Sequence, residues 1–177
     1  MQPITEIRDC QNIPDLEAIH AILNHAIATS TALYDYEPWS REALERWFEN
    51  KSKQNLPIRG AYDFEGQLLG FATYGPFRPQ PAYKYTVEHS VYVRQGCTNQ
   101  GIGTLLLSDL ITQATSAQYH VLIGCIDQDN QASIALHQKL GFTHCGTVKQ
   151  AGFKFGRWLD AAFYQKTLHT PDSPVDG

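Results

Sequence analysis

Apolar residues at Leu16, Ile19, Leu23 and Ile27 recur at helical spacing and predict an amphipathic helix over 13–28. Asn12 stands where an N-cap belongs, and Pro14 suits a first turn whose amides lack helical partners. Before it, ITEIR at 4–8 reads as a short opening strand. A polar, aromatic-rich link, STALYDYEPWS, leads to Ser40, the expected cap of a second helix with Glu42 and Glu45 near its positive end. Two apolar runs, IRGAYDF and LLGFATYG, are separated by Glu65, Gly66 and Gln67 and predict a hairpin. The three prolines of PFRPQPAYK make that segment irregular, and the β-prone run YTVEHSVYV follows.

The second half alternates more regularly. A glycine-containing loop precedes a helix from Ile102 to Ala117, on which Ile102, Leu106, Leu110 and Ala114 recur every four residues. Then come the strand HVLIGCI, a helix over 131–140, and two strands near 143–150 and 157–167. Strands alternating with helices predict an α/β sheet, and the hairpins make it mixed. The length fits one domain over 1–167, followed by a polar, proline-containing flexible tail at 168–177.

Composition narrows the partners. The 177 residues are 42% hydrophobic and 18% charged, ordinary for a globular domain. A formal net charge of -4 without a local Lys/Arg cluster gives no footprint for nucleic acid. The N-terminal stretch lacks a basic start followed by an apolar core, so no signal peptide is expected, and no apolar run approaches the ~20 residues that span a bilayer. Neither export nor membrane association is expected. Cys10, Cys97, Cys125 and Cys145 show no metal-ligand spacing, so no metal is expected, and they read as reduced thiols.

Two segments carry chemistry. At Gly101-Ile102-Gly103-Thr104 a loop opens a helix, where glycines expose backbone amides and the helix start favours an anion such as a pyrophosphate. A tight turn without a ligand explains the same residues equally well. The dinucleotide fingerprint is missing because Leu106 occupies its last glycine position, and the P-loop Lys-Ser/Thr is missing too. In the second segment Asn130 follows a strand and opens a helix, which is also what a plain N-cap does. His137 lies two turns further on nearly the same face, and Gly141 is placed to end the helix.

The order strand, GIGTLLL helix, strand, DNQASIALHQKLGF resembles the GNAT acetyltransferase superfamily. TSTALYDYEP at 29–38, YTVEHSVYV at 85–93, ASIALHQKLGF at 132–142 and AGFKFGRWLD at 151–160 are together similar to the phosphinothricin and methionine sulfoximine acetyltransferases. The resemblance implies a three-layer α/β fold, with a mixed, mostly antiparallel sheet of about seven strands flanked by helices. It implies acetyl-CoA as cosubstrate, a small amino-acid-like amine as acceptor, a homodimer and a cytoplasmic location. Thr98 stands where the superfamily loop carries Arg or Gln, and Asn99 replaces a glycine common in this family. The amides of Asn99, Gln100, Gly101, Ile102, Gly103 and Thr104 are the expected pyrophosphate site, with Asn130 on the pantetheine arm.

An ammonium must lose a proton before it attacks a thioester. By resemblance Glu88 is the general base, acting through a water, and the arm lies along Val91, Tyr92 and Val93 as an added strand. Strand alternation sets Glu88 opposite His89. His137, with an ordinary pKa of about 6.5, suits either protonation of the departing thiolate or positioning of the amine. Arg78, Pro79 and Gln80, with Glu88, His89 and Ser90, are the expected acceptor-binding residues, since a guanidinium fork matches a carboxylate or phosphinate. Lys154 supplies a second candidate cation. Transfer to a peptide N-terminus or polyamine, and a non-catalytic CoA sensor, are the alternative readings.

Overall fold

The computed structural model describes residues 4–176. Seven strands and four helices alternate along the chain: β1 (Ile4–Asp9), α1 (Asn12–Thr29), α2 (Arg41–Lys53), β2 (Ile58–Asp63), β3 (Leu68–Pro76), β4 (Thr86–Val93), α3 (Ile102–Ser116), β5 (Val121–Asp127), α4 (Gln131–Lys139), β6 (Thr143–Lys154) and β7 (Arg157–Thr167). A 3-10 turn, Pro81–Tyr83, lies between β3 and β4. The sheet order is β1-β2-β3-β4-β5-β7-β6, mixed as expected: β4 and β5 are parallel, while β1–β2, β2–β3, β5–β7 and β6–β7 are antiparallel.

The chain divides into two compact units. One holds the residues up to Thr73 together with Val91–Leu110. Its core joins Leu16, Ile19, Leu23 and Ile27 of α1 to Leu44 and Phe48 of α2 and to Ile58, Tyr62, Leu68, Phe71 and Tyr92 of the sheet. The periodicity of α1 therefore named its buried face correctly. Its cap lies one residue earlier than expected, at Gln11, because the buried Asp15 carboxylate accepts the Gln11 amide at 2.7 Å. Ser40 caps α2 as expected, with Oγ accepting from the Ala43 amide. The β2–β3 turn is fixed by Asp63, whose Oδ1 accepts the amides of Glu65 and Gln67. Arg59 is held by Asp109 on α3 at 2.7 Å and by Asp9 at 2.7 Å.

The other unit holds Tyr74–Ser90 and the residues from Ile111 onward. Here β6 runs to Lys154, four residues beyond expectation. A register shift between Val148 and Gly152, with Gln150 at a φ of 53°, carries the strand through its irregular middle. Phe155 and Gly156, at φ of 52° and 73°, then close a two-residue hairpin of the kind that matches strand twist. Past Thr167, Leu168 donates its amide to the His120 carbonyl, and the Val175 amide donates to the Tyr85 hydroxyl.

Candidate active site

The parallel ladder between β4 and β5 is short. Thr86 faces Val121, Val87 faces Leu122 and Glu88 faces Ile123, and among the described residues the pairing goes no further. Glu88 is thus the last paired residue of β4 at that edge, with His89 and Ser90 beyond it and Gly124 and Cys125 continuing β5. Strand alternation sorts these side chains: Val87 and His89 are buried, while Glu88 and Ser90 are half-buried. Burial pushes the Glu88 carboxyl above the usual carboxylate range, and the positive charge of Arg78 opposes that shift. Cys125 is exposed as a residue, but partial covering of its sulfur, with Glu88 nearby, raises the thiol to about 11, so it stays protonated at neutral pH. Arg78 is exposed over the Phe77 ring at 5.0 Å, and Pro79 and Gln80 continue the exposed loop. Lys154 is buried, with its Nζ 5.1 Å from the centre of the Phe155 ring.

His89, expected among the acceptor-binding residues, lies on the buried face of β4. The alternation that exposes Glu88 turns His89 inward, where it is 5% exposed and its Nε2 lies 2.8 Å from Nε2 of His137. The two rings stack with centroids 5.1 Å apart, and Phe142 meets both edge-on at 5.2 and 5.1 Å. Beneath them is Gly124 of β5: a Cβ there would meet His137 Nε2 at 2.9 Å and His89 Nε2 at 3.1 Å. A side chain at this position would press on both imidazoles.

The partners fix the ring protons. His137 Nδ1 lies 2.7 Å from the Ser133 carbonyl, which can only accept, so Nδ1 carries the hydrogen. Neutral His137 then presents a lone pair at Nε2, and the hydrogen of the 2.8 Å contact belongs to His89 Nε2. That leaves His89 Nδ1 as a buried acceptor without a partner. Burial, reinforced by His137, pushes His89 down to about 3; burial also lowers His137, against the opposing pull of the Ser133 carbonyl. Both rings of His137 and His89 are thus neutral at neutral pH. Both nitrogens of His137 are engaged in this arrangement.

Asn130 caps α4, its side-chain oxygen accepting the Ser133 amide at 3.1 Å, and Gly141 at a φ of 82° ends the helix. In the other unit, Tyr92 packs on Phe71 with centroids 5.1 Å apart, flanked by half-buried Val91 and Val93. The loop after them places Asn99 at a φ of 61°, which explains how it replaces a glycine: Asn is among the few side chains that tolerate the left-handed region. Thr98 is exposed, and the Gln100 side chain donates back to the Gly96 carbonyl. Gly101, at a φ of 81°, supplies the carbonyl that accepts from Leu105, so the amides of Ile102, Gly103 and Thr104 begin α3 without intrahelical partners. Ile102, Leu106, Leu110 and Ala114 are all fully buried, as their spacing predicted.

The model of the acetyltransferase (GNAT) family matches residues 20–142, and the chain belongs to that family as an acetyltransferase. Within it, the chain is 43% identical to an L-methionine sulfoximine/L-methionine sulfone acetyltransferase of Pseudomonas aeruginosa, over 92% of this chain and 94% of that one. A solved structure from Acinetobacter baylyi ADP1 is 55% identical with a TM-score of 0.96, covering 97% of this chain and 96% of its own. A phosphinothricin acetyltransferase from Sinorhizobium meliloti, solved in complex with acetyl-CoA, is 34% identical with a TM-score of 0.91, covering 96% and 91%. Among the described residues no group of three or more His, Cys, Asp or Glu is placed to hold a metal ion, and no helix is long and apolar enough to cross a membrane.

Proposed function

We propose that this chain transfers the acetyl group of acetyl-CoA to the α-amine of a small amino acid analogue bearing an anionic group, of the methionine sulfoximine or phosphinothricin type. The observation that carries this reading is Glu88, a carboxylate of raised pKa at the point where the β4–β5 ladder stops. Beyond that point strand edges offer main-chain groups to an extended ligand arm, as in β-strand addition. The relatives' activities support the choice of acceptor.

In this reading the amides of Ile102, Gly103 and Thr104 hold the donor's pyrophosphate, Val91–Val93 take its arm, and Arg78 takes the acceptor's anionic group. Glu88, directly or through one water, accepts a proton from the ammonium. The free amine attacks the thioester carbonyl and a C–N bond forms. As the tetrahedral intermediate collapses the C–S bond breaks, and the second proton shed by the acylated nitrogen goes to the departing sulfur, so CoA leaves as the thiol. Burial, opposed by Arg78, raises the Glu88 pKa and so makes it a stronger base than an exposed carboxylate.

The test is thiol release on adding acetyl-CoA to L-methionine sulfoximine, phosphinothricin, free amino acids, a peptide with a free N-terminus and spermidine. Release confined to the free amino acids and their analogues is expected. Preference for the peptide or the polyamine would move the acceptor to another class, and CoA binding without release would make the chain a sensor.

A further inference from the structure

We propose that His89 is a positioning residue for the acetyl transfer: its Nε2–H, given to His137 Nε2, holds His137 in the Nδ1–H form and joins β4 to α4 through a hydrogen-bonded neutral pair. The inference rests on the acetyl-transfer reading only in its kinetic consequence.

The proton count carries it. Between them the two neutral rings hold two N–H groups, and each is already given, one to Ser133 and one across the pair. The sole remaining basic site is His89 Nδ1, shut away from solvent and without a partner. A proton entering the pair has to arrive there, in a pocket walled by the Phe142 ring and the Gly124 backbone. The titratable neighbours on the two strands, Glu88 of β4 and Cys125 of β5, interact with each other. On α4 the facing group is the Ser133 carbonyl, which fixes a hydrogen and supplies no charge. The pair therefore behaves as a spacer of fixed length, and Glu88, the residue preceding His89, owes its placement to it. Misplacement of reacting groups by about 1 Å costs up to about a hundredfold in rate.

The direct test is long-range 1H–15N NMR of the imidazole nitrogens in the uniformly labelled wild-type protein from pH 8 to pH 5. Expected are a protonated Nδ1 on His137, a protonated Nε2 on His89, and flat shifts for both across the range. A protonated Nε2 on His137, or either ring titrating with a midpoint near 6.5, overturns the proposal. The kinetic test compares His89→Gln, which keeps an N–H donor, with His89→Leu, which removes it. The Gln variant should keep kcat within a few-fold. The Leu variant should lose on the order of tenfold or more, a loss that the donor-keeping Gln variant rescues. A Leu variant with wild-type kcat, or a Gln variant as impaired as the Leu variant, also overturns it. Because the NMR needs no substrate, a neutral pair in a protein that acetylates nothing would sink the acetyl-transfer reading alone.

Discussion

Replacing Gly124 by alanine adds one methyl group where two imidazoles meet. Its backbone lies outside the left-handed region, so the new residue adopts the native conformation without strain, and by itself this change would stabilise by about 0.4–1 kcal/mol through the unfolded chain. The contacts oppose it. The Cβ would stand 2.9 Å from His137 Nε2, closer than packed atoms allow, and a tight 3.1 Å from His89 Cε1 and Nε2, and these atoms belong to rings clamped by Phe142. Overpacking of that kind costs about 1–3 kcal/mol. Separating the rings also forfeits a buried hydrogen bond worth about 1 kcal/mol net. The clash wins, and the variant should be less stable by about 1–3 kcal/mol, read as a lower urea midpoint at pH 7.5 with an unchanged slope. Cys125→Ala, which removes an exposed side chain from the same strand, should fall within about 0.5 kcal/mol of wild type. A Gly124→Ala protein more stable than wild type would show that the imidazoles are not packed against this backbone.

Two further outcomes follow from charge. Arg78→Ala should raise KM for acceptors carrying a carboxylate or phosphinate by about 10–100-fold, the loss of one charge-assisted hydrogen bond, and shift the acidic limb of the rate profile upward because Arg78 opposes the rise in Glu88's pKa. The buried histidine should make the fold acid-sensitive: with its folded pKa depressed to about 3, His89 contributes stability present above its unfolded value of 6.5 and lost as pH falls toward the folded one. From that value to pH 5, at about 1.4 kcal/mol per unit, the loss is about 2 kcal/mol. Urea unfolding at pH 7.5 and pH 5 should show it in wild type and not in His89→Leu.

What the sequence makes legible here is what is local. The spacing of Ile102, Leu106, Leu110 and Ala114, the Ser40 cap and the Gly141 stop each depend on residues within a turn or two, and each is found. The start of α1 shifts because Asp15, four residues inward, satisfies the Gln11 amide. The far end of β6 is hidden by Gln150 and Phe155, whose left-handed conformations no pattern of apolar residues announces. At the site, period-two alternation already sets His89 on the face opposite Glu88, and the structure buries it there. Its partner His137 lies 48 residues away, and only the fold brings them together. Gly124 leaves a fainter trace: a glycine inside an apolar strand marks a close approach without saying of what.

The central claim is that Glu88 takes the proton from the acceptor amine, and the pH dependence of kcat/KM for wild type and Glu88→Gln tests it most directly. Wild type should show an acidic limb above the ordinary carboxylate range, in keeping with the raised pKa of Glu88. The Gln variant keeps the shape of the side chain without its basicity, and should lose that limb with about 10²–10⁴-fold of kcat near neutral pH while still binding acetyl-CoA. A Glu88→Gln enzyme that turns over at the wild-type rate, with the limb still in place, would contradict the account.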